Sequence, residues 1–357
     1  MKRYAAVITV IILGCILLGG CGFWMDGDYL SVQPHLMQTP QTGDEVIEVT
    51  SYAQIRNALA ELVEAGAEGG IMSASSFNDA TVHHYMDTAV NHVLQNNPIG
   101  AYAVDEITFE IGTNRGAAVV AFQISYRHNR SEILRIKQTE GMEDAVSVIT
   151  GALDNCDDSV VLYISQYEVV DFTQMVQDYA NDNPDRIMEI PHVRAEVYPQ
   201  RGKERIVELS FTYQTSRETL RQMQEIVEPV FTSAELYVKE TTQVLDIYSR
   251  LYAFLMERDD YTIQTSITPA YSLLHHGVGD SRAFANVYAV MCRQAGLDCQ
   301  TVSGTRAGEP WCWNVVRFRG EYYHVDLLQC SQTGGFQMFR DSEMSEYVWD
   351  YSAYTSD

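Results

Sequence analysis

The chain has 357 residues, with 48 acidic side chains against 24 basic ones, and so a formal net charge of −24. That length exceeds what one hydrophobic core supports, because single cores stop growing at roughly 250–300 residues, so two or three domains are expected. The acid excess argues against nucleic acid or anionic lipid as a partner, since phosphate binding needs clustered Lys and Arg.

The chain opens with Lys2 and Arg3, continues through an apolar run to Leu18, and reaches Leu18-Gly19-Gly20-Cys21. A charged start, a short apolar middle and small residues before a cut describe a secretory signal, because a membrane span needs about 20 apolar residues. A cysteine at that place resembles the lipobox of bacterial lipoproteins. The resemblance implies a signal peptide over 1–21, lipid on Cys21, and an extracytoplasmic protein anchored to the bacterial cell membrane. An ordinary secretory signal or an uncleaved anchor are the alternatives, and Cys15 is a weaker cut. Residues 22–45 lack apolar periodicity and read as a flexible tether.

A repeat follows over 46–145 and 146–235. Ile55-Arg-Asn-Ala-Leu59 echoes Ile149-Thr-Gly-Ala-Leu153, and Val160-Val-Leu-Tyr-Ile164 is the strand-like counterpart of Gly70-Ile-Met-Ser-Ala-Ser75. Apolar residues at helical spacing then lead to Asn96-Asn97-Pro98 in one copy and Asp182-Asn183-Pro184 in the other, and both are read as helix stops. Each copy closes with two alternating strands, 101–112 with 117–127 and 187–198 with 205–214. A further helix is expected from Ser131 and from Ser216, each serine acting as an N-cap. The spacing predicts tandem αβαββ units. His83, His84 and His92 share one helix, but no third metal ligand is evident beside them.

Residues 241–357 make the last unit. A long amphipathic helix from Thr241 is followed by Tyr271, Gly277-Val-Gly279-Asp-Ser281-Arg-Ala-Phe284-Ala285, then Gly296-Leu297, Val302-Ser-Gly304, Trp311-Cys-Trp313-Asn314 and Tyr323-His-Val-Asp326. This order resembles the bacterial transglutaminase-like superfamily, with its papain-like α+β core. In that family a glycine-rich turn presents a cysteine at a helix start, a strand brings the histidine base, and a neighbouring strand ends in the aspartate that orients it. A thiol at a helix N-terminus beside an imidazolium ionises near neutral pH, and the imidazole carries the proton.

Carried over position by position, the resemblance places Ser281 at the cysteine, Trp311 at the histidine and Asp326 at the aspartate. An indole nitrogen only donates, so it cannot take a proton from serine. The triad is therefore read as vestigial, with the Trp311 N–H directed to Asp326 and with Asp280, Trp313 and Asn314 expected along a binding cleft. His275, His276 and His324 are the candidates for a substitute base. The function expected is a catalytically inactive surface lipoprotein that binds a peptide, a cell-wall fragment or an exported protein, with no cofactor. The alternative is a peptidase or amide transferase using Ser281 with a non-standard base. Of the cysteines beyond the signal, Cys156, Cys292, Cys299, Cys312 and Cys330, the pair Cys312 and Cys330 is the first guess for a disulfide, and Cys292 is expected as a buried thiol.

Overall fold

The computed structural model describes residues 46–114, 116–257 and 261–352, so the predicted signal, Cys21 and the tether lie outside the described residues. Among the described residues no helix is long and apolar enough to cross a membrane. The described structure is a mixed α+β fold.

The first unit runs β1 (Ile47–Glu48), α1 (Tyr52–Glu64), β2 (Gly69–Ser73), α2 (Asp79–Asn96), α3 (Pro98–Ala103), β3 (Val104–Asn114) and β4 (Ala117–Tyr126), followed by the short helix α4 (Arg130–Ile133). Ser51 and Asn78 cap α1 and α2 through their side-chain oxygens, as short polar residues do at helix starts. Ile55, Leu59, Met72, Met86 and Phe122 fill the core between those helices and the sheet.

The second unit runs β5 (Lys137–Thr139), α5 (Met142–Asp154), β6 (Ser159–Ile164), α6 (Phe172–Asp182), β7 (His192–Tyr198) and β8 (Arg205–Thr212). The strand orders are β1-β2-β4-β3 and β5-β6-β8-β7. In each sheet the short first strand is parallel to its neighbour and the remaining pairs are antiparallel.

Three details differ from the expected αβαββ pattern. Each unit begins with an edge strand of only two or three residues, too short to show a period. Residues 101–103 are helical, because Asn97 ends α2 and also caps α3, whose first residue is Pro98; proline is tolerated at that position since its missing N–H would be unpaired anyway. Asn129, and not Ser131, caps α4.

The third part contains α7 (Arg217–Val238), α8 (Val244–Met256), β9 (Thr262–Ile263), α9 (Pro269–His276), β10 (Val278–Gly279) and α10 (Ser281–Gln294). It continues with β11 (Cys299–Arg306), β12 (Glu309–Phe318), β13 (Glu321–Val325), α11 (Leu327–Thr333) and β14 (Tyr347–Trp349). Ser216 caps α7 as expected. The sheet order is β13-β12-β11-β14, antiparallel throughout.

Every residue of α10 from Ala283 to Cys292 is buried, which is the signature of a helix surrounded by protein on all sides. Phe284, Val287, Tyr288 and Met291 pack there with Leu251 and Tyr252 of α8 and Val316 of β12. Each such side chain contributes about 1.5–3 kcal/mol on burial. The two buried phenols have partners: the Tyr288 hydroxyl donates to the Tyr248 carbonyl at 2.9 Å, and the Tyr248 hydroxyl donates to the Asp298 carbonyl at 2.7 Å.

Gly304 of β11 faces both Trp311 of β12 and Trp349 of β14. A Cβ there would collide with the Val348 carbonyl oxygen and come within 2.9 Å of the Trp313 ring. Gly304→Ala must therefore push β14 off β11, and it should cost about 1–3 kcal/mol in urea unfolding. Gly112→Ala, where nothing lies within 4 Å, is the control and should cost far less.

Candidate functional site

Ser281 is the first residue of α10. The turn before it is set by Gly277, whose left-handed φ of 68° ends α9. Asp280 is the N-cap: its Oδ1 accepts the Ala283 N–H at 3.0 Å, and its Oδ2 accepts the Thr265 hydroxyl at 3.0 Å. The Ser281 hydroxyl is buried, and Oγ accepts the Cys312 backbone N–H at 3.1 Å. That bond joins the helix start to the strand carrying Trp311.

The structure brings Trp311 to Asp326. The indole Nε1–H donates to Asp326 Oδ2 at 2.8 Å, and the Tyr347 hydroxyl donates to the same oxygen at 2.7 Å. Oδ1 accepts the backbone N–H groups of Leu328 at 3.0 Å and Gln329 at 3.1 Å, so the carboxylate is also the N-cap of α11. Arg306 Nη1 lies 3.5 Å from Oδ2, and its guanidinium sits 5.5 Å from the centres of both the Trp311 and Tyr347 rings.

Asp326 is 1% exposed. A carboxylate so deep is tolerated only when its lone pairs are filled and its charge is matched, and four donors with one guanidinium meet both needs. Burial, and then the Asp326 charge, hold the Tyr347 phenol well above its usual pKa, so it remains a donor.

None of the three candidate substitute bases meets Ser281. His324 is 1% exposed, and its Nδ1 accepts the Trp313 indole N–H at 2.8 Å. Because an indole only donates, the His324 proton sits on Nε2, which faces Asp341 Oδ1 at 3.0 Å. Burial lowers the His324 pKa, with Asp341 pulling the other way. His275 and His276 end α9 at the surface, where the His275 ring stacks on Tyr271 at 5.0 Å.

The expected cleft residues sit differently. Trp313 is 1% exposed and Asn314 is fully buried, so neither lines an opening. Trp313 packs edge-on against Tyr347 and Trp349, and Asn314 Nδ2 donates to the Ala285 carbonyl at 2.8 Å, tying β12 to α10. The period-2 alternation of a strand puts these residues on the two faces of β12, and both faces are covered by protein. Asp280 is half-buried and is occupied as a cap. A cavity of about 600 Å³ lies elsewhere, lined by Asp154, Asp185, Arg186, Glu228, Phe231 and Gln294, where the second unit meets α7 and α10. In the first unit His83 is paired with Asp87 at 2.9 Å.

Sequence reasoning missed Arg306, Tyr347 and Asp341. Arg306 follows Gly304 by two on β11 and so shares its face, while Tyr347 and Trp349 stand two apart on a strand of three residues.

With this geometry in hand, residues 232–327 match the family model of the transglutaminase-like superfamily. This part of the chain is a transglutaminase-like domain. The match begins inside α7, ahead of the boundary at 241 expected from the sequence.

Two solved structures are similar over part of the chain. One is a crystal structure of a TGase, 11% identical, covering 47% of this chain and 50% of that one with a TM-score of 0.26. The other is a "putative protease" from Parabacteroides distasonis, 8% identical, covering 60% of this chain and 47% of that one with a TM-score of 0.24. The chain thus spans about half the length of each. The search of curated proteins gave no match.

Removing the carboxylate would leave Arg306, the Trp311 N–H, the Tyr347 hydroxyl and two backbone N–H groups without their acceptor. Asp326→Ala should therefore destabilise the protein by about 3–5 kcal/mol in chemical denaturation, the range for breaking a buried pair from one side.

Proposed function

We propose that this chain is a non-catalytic transglutaminase-like lipoprotein, held at the outer side of a bacterial cell membrane by lipid on Cys21, that binds a peptide, a cell-wall fragment or another exported protein. The observation that carries the reading is the bonding at Asp326. Its Oδ2 is taken by an indole N–H at 2.8 Å and by Tyr347 at 2.7 Å, and the residue at the position of the family's base can accept no proton. Ser281 has only a backbone amide as its hydrogen-bond partner among the described residues. A serine hydroxyl with no base beside it is essentially un-ionised at neutral pH and is a poor nucleophile.

What is kept is the frame. The left-handed Gly277, the capped start of α10, Gly304 and the Asp326 cap of α11 all maintain a folded scaffold without acyl transfer. The like strand order of the two N-terminal sheets supports reading them as tandem copies, with the second copy beginning at β5 (Lys137–Thr139) and not at 146, and the pair would add surface for a partner. The formal charge of −24 suits a neutral or cationic partner better than an anionic one.

A fluorophosphonate probe tests the catalytic side of this reading on the full chain. Wild type should show no more label than Ser281→Ala, and isothermal titration with wall peptides and muropeptides should give saturable heats without turnover. Label that appears in wild type and vanishes in Ser281→Ala would instead establish a serine enzyme with an unorthodox base.

A further inference from the structure

The five cysteines among the described residues are buried free thiols, and the disulfide expected between Cys312 and Cys330 is not formed: Cys312 stands on a strand and Cys330 in a helix beyond the next strand. The buried titratable group with a consequence is His324, because of what lies over it. After α11 the chain crosses one face of the C-terminal sheet from edge to edge. At the β13 edge Phe339 pairs with His324, N–H to carbonyl in both directions at 2.8 Å. A short 3-10 turn, Asp341–Glu343, follows, and the segment ends as β14 on the opposite edge, against β11. Met344, Tyr347 and Trp349 of this strap pack on Val302, Trp313 and Val315, a cluster separate from the larger core around α10.

The neutral His324 ring joins the two layers. Nδ1 accepts the Trp313 indole N–H of the sheet at 2.8 Å, Nε2 faces Asp341 Oδ1 of the strap at 3.0 Å, and the Trp349 ring stands edge-on at 4.8 Å. A protonated ring cannot do the same, because both of its nitrogens donate and an Nδ1–H would point at the indole N–H. Trp313 would then lose its acceptor where water does not reach it. The stronger pull on Asp341 returns little, since that carboxylate is half-exposed and water screens it.

The other charges around the ring leave this conflict in place. Beside it on β12 stand Trp313 and Val315, and β14 brings Trp349. Asp326, two residues further along β13, is matched by Arg306 and Tyr347. Two residues before it, the Tyr322 ring lies under the Arg317 guanidinium. On the strap, Arg340 pairs with Glu321 at 3.2 Å, Glu343 accepts the Arg340 backbone N–H at 2.8 Å, and Glu346 is exposed.

We propose that His324 is an acid-sensitive latch: when Nδ1 takes up a proton, the strap from Phe339 to Trp349 lifts from the sheet and takes Tyr347 away from Asp326. The strap is a unit that can open by itself, since its apolar contacts form a small cluster of their own. Burial, the larger influence, lowers the His324 pKa in the closed state, with Asp341 pulling the other way. The lifted state, whose ring meets water, therefore binds the proton first. The latch holds fully above the ordinary histidine pKa of about 6.5 and weakens as the pH falls, until the closed state is protonated as well.

Amide hydrogen exchange of the full chain, read by mass spectrometry from about pH 7.5 to about pH 5 and corrected for the intrinsic rate, tests this while ordinary carboxylates stay ionised. Protection of the strap should fall by up to about tenfold per pH unit below about pH 6.5, while that of α10 holds. His324→Asn keeps an acceptor for the Trp313 N–H and cannot titrate, so its strap should show no such fall. Asp341→Asn, at the half-exposed end of the latch, covers the case in which that variant does not fold. It removes the one charge that favours the protonated ring in the closed state, so the fall should grow. Strap protection that is flat with pH in wild type, an equal fall in α10, the same fall in His324→Asn, or a smaller one in Asp341→Asn would overturn the proposal.

Discussion

A buried carboxylate has to be satisfied, and the C-terminal domain is built around satisfying one. Asp326 holds two backbone N–H groups of α11, the Trp311 indole, the Tyr347 hydroxyl and the Arg306 guanidinium. These partners come from β11, β12, β14 and α11, so a single side chain at the end of β13 gathers four elements. The charge is worth its desolvation only while all of them are present, which makes the cluster cooperative. The acid serves here as an anchor between the sheet and α11.

The rest of the site follows from that anchor and from one enclosed helix. Protein surrounds α10, and the helix presents Ser281 toward β12, where a backbone amide meets the hydroxyl. Trp311, the residue before that amide on β12, is turned toward Asp326 by the bond it donates. His324 is likewise committed, with Trp313 on one nitrogen and Asp341 on the other. The imidazole nearest to the aspartate in sequence therefore has no free lone pair for proton transfer.

Much of this was legible in the residues because the signals are local. Glycines at 277 and 296 mark turns with positive φ and Asp280 caps the helix after it, whereas the Trp311–Asp326 bond, between residues 15 apart, was expected only through the resemblance. What was missed depends on long-range pairing. Tyr347 and Arg306 reach the site only because β14 pairs with β11, with Gly304 opposite Trp349, and no period in a three-residue strand announces that. Asn97-Pro98 is a stop for one helix and a start for the next, and only the second role was hidden. The cleft assigned to Trp313 and Asn314 failed because a strand covered on both faces offers no open side.

The central claim is that two side chains, and not a collapsed frame, separate this domain from a thiol catalyst. Ser281→Cys combined with Trp311→His tests it through the pH dependence of iodoacetamide alkylation at position 281, read by peptide mass spectrometry on the folded protein. The account predicts a thiolate already present at neutral pH, its pKa well below the ordinary value of about 8.5, and a return toward that value when Trp311 is left in place. A folded double mutant whose thiol is unreactive, or titrates like a free cysteine, would contradict it.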